Sequence, residues 1–235
     1  MSRQLDPIAN DAVAKNGSFL EALESLTGME LESRNHNAIE RRFRLSRLQA
    51  RHSIDSFNFK HHKSRMEIKA RVIRLLDLEF LDKGTSVIVI GNPGVGKTLL
   101  AKIIGWRACQ ANKRVLFTTA ADLLNHLNAS QIDHSPIRKL QLFTDPALLV
   151  IDESGYLTLD RQTSNLFYQV VSTRHSHKRS TMITTNTAFS DWGNVLHNPT
   201  IATASADRLV ENSGIFLLGG HSLRKARHSN PPAAE

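Results

Sequence analysis

The run SVIVIGNPGVGKT (86–98) narrows the possible folds more than any other part of this 235-residue chain. Four consecutive β-branched residues, Val87 to Ile90, make a strand that can be buried on both faces, and the stretch after Lys97 reads as a helix. Between them Gly91, Asn92, Pro93, Gly94, Val95, Gly96, Lys97 and Thr98 satisfy every fixed position of G-x-x-x-x-G-K-[ST]. The glycines let backbone N–H groups turn inward, and the following helix aims its positive end at the same point. Such a loop cradles the phosphates of a nucleotide. Lys97 can reach the β- and γ-phosphates and Thr98 can ligate Mg2+. Motors, GTPases, kinases and loaders all use this loop, so its purpose has to be read elsewhere in the chain.

From Ser86 onward, short apolar runs alternate with amphipathic stretches. After SVIVI come RVLFTT (114–119), ALLVID (147–152), STMITTN (180–186) and GIFLLGG (214–220), with helices expected after Lys97, near Asp122 and through NLFYQVVSTRH (165–175). Strands that are apolar throughout and separated by helices predict an α/β fold, a five-stranded parallel sheet covered on both faces. Only 15 residues follow Gly220, which predicts no helical lid domain after the sheet. Upstream, the periodicity predicts one helix over Ser18 to Leu31, a second from about Asn37 to Ala50 and a third over 64–84, with HSIDSFNF (52–59) extended. Residues 1–17 are polar and poorly periodic.

Composition excludes several classes. No apolar run approaches the roughly 18 residues of a membrane-spanning helix, and the start lacks the apolar core of a secretory signal. A single cysteine, Cys109, excludes an internal disulfide framework and predicts a cytoplasmic protein, with Cys109 packed inside the helix after the loop. The net charge of +8 is concentrated: the segment from Arg34 to Arg74 holds 12 of the 30 Lys and Arg residues but 3 of the 22 Asp and Glu. A basic block invites nucleic acid, although a solvated helix face has the same composition. Phe43, Phe57 and Phe59 are interleaved with it and serve equally well as core anchors.

Three further pieces bear on chemistry. ALLVIDESGY ends a buried strand in Asp152, where a Mg2+ ligand belongs, and Glu153 follows as a candidate general base toward water; a strand-capping Asp-Glu pair is the plainer reading. A base acting on water suits an ATP hydrolase rather than a small-molecule kinase, and the guanine-reading N/T-K-x-D motif is absent, so ATP is the expected nucleotide. Asn186 could orient water if its strand lies between the phosphate-loop strand SVIVI and ALLVID, or simply turn the chain. Arg208 could reach a neighbouring subunit's γ-phosphate or pair with Glu211 at i+3, and Arg224 in GGHSLR is similarly open. His61-His62 lacks further ligands at metal spacing, and Trp106 and Trp192 suit core or interface anchoring better than base stacking.

Taken in order, GNPGVGKT, VIDESGY, ITTNTAFSDWGNVL, DRL and GGHSLR resemble the IstB-like ATP-binding helpers of insertion-sequence transposition, AAA+ proteins related to the DnaC-type helicase loaders. IDSFNF is similar to the extended element that lines the adenine in that family, and the resemblance runs from about residue 18 to 225. It implies a basic helical N-terminal domain (1–52), an AAA+ ATPase core (53–225) and a flexible tail (226–235). It further implies ATP-dependent self-assembly on double-stranded DNA and delivery of that DNA to a transposase; a DnaC-like replicative helicase loader is the alternative, and a small-molecule kinase a distant one. On this resemblance Lys97 and Thr98 hold phosphate and Mg2+, Asp152 holds Mg2+, Glu153 activates water, Asn186 senses the γ-phosphate, Arg208 is a finger supplied in trans and Arg224 lies in a C-terminal nucleotide-binding element. Ser154 stands where the family usually has Leu or Ile, and Thr184-Thr185-Asn186 where it often has Thr-Ser-Asn.

Overall fold

The structure, a computed structural model, describes residues 18–132, 136–152, 161–187 and 199–223. The chain divides into two compact units, residues 1–42 and 43–235. The described residues of the first unit from Phe19 onward belong to one helix, α1 (Phe19–Ser46), which continues past residue 42. Ser18 and Glu21 cap its start reciprocally, each side chain accepting from the other's backbone N–H. The two helices expected here are therefore one. The polar stretch around Ser33 to His36 contains no proline, and Glu30 with Arg34 at 2.7 Å ties one turn to the next. α1 ends where Arg47 takes a left-handed φ of 60°.

In the second unit all five predicted strands are present: β1 (Ser86–Gly91), β2 (Val115–Thr119), β3 (Leu148–Asp152), β4 (Ser180–Thr185) and β5 (Ser213–Leu218). They pair in parallel in the order β2-β3-β4-β1-β5. The helices are α2 (Lys63–Leu75), α3 (Glu79–Asp82), α4 (Lys97–Gln110), α5 (Ala120–Ile132), α6 (Pro136–Thr144), α7 (Arg161–Ser176) and α8 (Pro199–Val210). Alternate residues of each strand feed opposite cores. Val87, Val89, Val150 and Met182 face α2 and α4, whereas Leu116, Leu149, Ile151 and Ile183 face the α5–α8 side. Leu48 is fully buried against Gly105 of α4, where an added Cβ would meet it at 2.9 Å. Cys109 is fully buried.

β4 is the most polar strand, yet it lies between β3 and β1. Its hydroxyls are all engaged: Ser180 Oγ donates to Phe80 O at 3.0 Å, Thr181 Oγ1 accepts from Arg174, Thr184 bonds Asp152 and Thr185 pairs with Thr187. Satisfied hydroxyls remove the cost of burying them.

Two further expectations need correction. The helix expected over 64–84 breaks after Leu75, because Leu78 adopts φ 63° and restarts the short α3. HSIDSFNF is not extended; it forms two 3-10 turns, Ile54–Ser56 and Phe59–His61, capped by the side chains of Ser53 and Asn58. α6 is a helix beyond those the periodicity predicts. No helix among the described residues is long and apolar enough to cross a membrane.

Candidate nucleotide site

The GNPGVGKT loop leaves the carboxyl end of β1 and turns into α4. Gly94 and Gly96 hold φ of 80° and 89°, backbone shapes that disfavour any side chain. Gly91 is fixed for another reason: a Cβ there would run into the backbone carbonyl of Leu218 on β5. Lys97 Nζ donates to the carbonyls of Gly91 and Asn92 at 2.7 and 3.0 Å, so its ammonium lies over the loop. Val95 is buried and anchors the loop to the α2–α4 core.

Asp152 ends β3 only 4% exposed. Thr98 Oγ1 donates to both of its carboxylate oxygens, at 3.0 and 2.9 Å, and Thr184 Oγ1 donates to Oδ1. The order β3-β4-β1 brings Thr98, Asp152 and Asn186 to the carboxyl ends of adjacent strands, the crevice where open α/β sheets take ligands. Asn186 Oδ1 is buried without a hydrogen-bond partner among the described residues. Two positive-φ glycines and a lysine against loop carbonyls fit a phosphate-bearing nucleotide, and the orphaned amide oxygen, an acceptor, fits a water beside it.

Arg208 lies elsewhere. Its guanidinium stacks 4.8 Å from the Tyr168 ring centroid and donates to Ala204 O. With Ser86, Arg179 and Thr181 it lines a small crevice at the amino ends of β1 and β4. β1 separates it from its own phosphate loop by about 17 Å at the usual strand rise. The i+3 pairing with Glu211 is not formed; Glu211 meets His175 at 3.2 Å instead. Glu153, Ser154, Trp192 and Arg224 lie outside the described residues. The segment leading to Arg224 crosses the phosphate loop, with Leu223 N donating to Gly94 O at 3.0 Å. His61 and Ser64 support that segment, through His221 O and Gly219 N at 2.9 and 2.8 Å.

Sequence reasoning missed Thr184 as a partner of Asp152, although a threonine two residues before Asn186 on a buried strand was the available signal. It also missed Arg65, hidden among the basic residues. Of the twelve lysines and arginines between 34 and 74, Arg65 alone is buried, Arg42 is half-buried and the other ten are exposed. Phe57 is buried beneath Arg65, while Phe43 packs edge-on to Trp106 at 5.3 Å.

A family profile described as IstB-like ATP binding protein matches residues 1–231. The chain belongs to this family. The ATP-binding protein of insertion sequence IS5376 from Geobacillus stearothermophilus is 35% identical over 224 residues, covering 95% of this chain and 88% of the relative. Its counterpart from IS232 of Bacillus thuringiensis subsp. berliner is 32% identical over 228 residues, covering 97% and 90%. Among solved structures, the DnaC helicase loader superposes with a TM-score of 0.58 at 20% identity, over 67% of this chain and 91% of that one. DnaI gives 0.55 at 20% identity, over 68% and 85%. These two likenesses establish the AAA+ P-loop fold. This IstB-like chain is therefore an ATP-binding protein on an AAA+ scaffold.

Proposed function

We propose that this IstB-like protein is an ATP hydrolase that assembles on double-stranded DNA and delivers it to a transposase, with hydrolysis driving disassembly or remodelling. The observation that carries the chemical part is the meeting of Thr98, Asp152 and the unpartnered Asn186 amide oxygen beside the phosphate loop. The insertion-sequence names of the relatives support the biological part.

In this reading Lys97 and the backbone N–H groups of the 91–98 loop, which Pro93 shapes without donating, bind the phosphates. Thr98 and Asp152 offer hard oxygen ligands suited to Mg2+, which would supply charge neutralisation at the transferred phosphoryl group. Thr184 orients the Asp152 carboxylate as an outer-shell donor. Glu153, next in the chain, accepts the proton of the attacking water, and Asn186 holds that water or the γ-phosphate. Arg208 faces away from its own loop and serves as a finger for the neighbouring subunit, making hydrolysis depend on assembly. Arg224 contributes from the segment that crosses the loop. A basic helical N-terminal domain (1–52), an ATPase core (53–225) and a tail (226–235) divide these tasks, and the exposed cations of 34–74 neutralise DNA phosphate.

ATPase turnover measured against protein concentration, with and without duplex DNA, tests the reading. Turnover should rise more steeply than linearly with protein, rise again with DNA, and collapse in E153Q. Electron micrographs with DNA and a non-hydrolysable ATP analogue should show ordered assemblies that disappear as salt is raised, because phosphate neutralisation is salt-dependent. ATP-independent, salt-insensitive DNA binding, or concentration-independent turnover by a monomer, would refute it. Co-purification with a replicative helicase instead of a transposase would move the chain to the loader reading.

A further inference from the structure

Arg65 belongs to no motif, yet it is 1% exposed in the middle of the basic block. Its Nη1 donates to Asn58 O at 2.8 Å, its Nη2 donates to Val95 O, and its guanidinium lies 4.7 Å from the Phe57 ring centroid. Its Nε finds no hydrogen-bond partner among the described residues. A cation buried against two carbonyls and a ring, with no carboxylate partner among the described residues, is costly to keep. An exposed position on α2 would avoid that cost, so what this location accomplishes is the question.

The answer lies in which carbonyl it holds. In a trans peptide the C=O and the following N–H point in opposite directions, and the chain has no cis peptide among its described residues. Arg65 fixes the Val95 carbonyl toward α2, so the Gly96 N–H is turned the other way, away from α2. Gly96 holds a φ of 89°, and a Cβ there would sit 3.1 Å from Arg65 Nη2 and 3.5 Å from Phe57. The same guanidinium grips Asn58, between Phe57 and Phe59, whose rings meet edge-on at 4.9 Å. One side chain therefore spans the phosphate loop and the 57–59 turn that precedes α2.

We propose that Arg65 is a positioning residue for nucleotide binding, locking the Val95–Gly96 peptide with its N–H toward the phosphates and coupling that orientation to the 57–59 segment. This rests on the reading of 91–98 as the ATP site. The test titrates fluorescent ATP and ADP analogues into wild type, R65M, R65K and K97A. It also follows amide hydrogen exchange in peptides covering 53–62, 91–100 and 148–152. R65M should weaken both nucleotides by about 10- to 100-fold, the range expected for lost charge-assisted hydrogen bonds. Exchange should rise in 53–62 and 91–100 and stay level in 148–152. R65K keeps the charge but cannot bridge two carbonyls as a planar fork does, so it should lose about tenfold or more; it decides the matter if R65M does not fold. Affinities within twofold of wild type, or exchange that rises equally in 148–152, would overturn the proposal. Wild type that binds no better than K97A would overturn the ATP site itself. Binding by wild type, loss in K97A and retention in both Arg65 variants would sink this inference alone.

Discussion

Arg174 offers the most quantitative test of how the site is held. It is 1% exposed on α7, and burial followed by the nearby charge of Arg179 pulls its pKa down to about 9, leaving it charged at neutral pH. Nε donates to Thr181 Oγ1 at 2.9 Å, and Nη1 to the carbonyls of Phe143 and Pro146 at 2.9 Å and of Thr144 at 3.3 Å. Nη2 donates to Ser180 O. It thus ties the end of α6 to the starts of β3 and β4, the strands that deliver Asp152 and Asn186. Replacing it with methionine keeps the aliphatic volume and removes every donor. Thr144 O retains Arg179, leaving the Phe143, Pro146 and Ser180 carbonyls as the main losses. Each buried acceptor left unmet costs about 1–3 kcal/mol, offset in part because a buried charge also leaves. The expected loss is about 3–5 kcal/mol, a large share of the roughly 5–15 kcal/mol typical of a folded domain. For a domain of this size that is a fall in Tm of about 6–20 °C. Urea unfolding followed by circular dichroism would measure it, with the slope of the transition unchanged. R174K, with one point charge for several carbonyls, should fall between. If R174M lost less than about 1 kcal/mol, those carbonyls would have other donors, and the clamp described here would be wrong.

Other outcomes follow from the site. T184V removes a donor from the buried Asp152 carboxylate and should weaken Mg2+ dependence of nucleotide binding by about 10–100-fold, the usual effect of an outer-shell loss, read from a Mg2+ titration. G91A should destabilise by about 1–3 kcal/mol, because its methyl group meets a backbone carbonyl on β5 that cannot turn aside; thermal unfolding reports it. R208A should leave ATP affinity unchanged within twofold while lowering DNA-stimulated turnover by about 10³-fold or more, and mixing it with E153Q protein should restore part of that turnover if the finger works between subunits.

The sheet was legible because its strands are apolar runs of the right length, and the phosphate loop because its spacing is so restrictive. STMITT was readable as a strand by its threonines, but not as a central one, since only the partners of those hydroxyls justify burying them. The 52–59 segment misled because Phe57 and Phe59 suggest a strand, whereas Ser53 and Asn58 bond their own backbone two residues on and bend it into turns. The merging of two expected helices into α1 shows that polar residues alone do not interrupt a helix. Arg65 was invisible because composition counts a buried arginine and an exposed one alike. Arg208 was legible as a residue but not as a place: only the strand order sets it at the end of the sheet opposite its own loop.

The position of β1 in the sheet also carries a timetable. Its neighbours are β4 and β5, so Val87 waits for Met182 and Ser86 for Ser213, 95 and 127 positions downstream. At ribosomal speeds of 5–20 residues per second, the second partner emerges about 6–25 s after the first strand. Until β4 emerges the phosphate loop hangs from an unpaired strand, and until β5 follows that strand is covered along one edge only. Such distant pairing slows folding in general. A nascent or truncated chain that stops short of residue 213 would carry the whole phosphate-loop sequence and still lack the strand that shapes it.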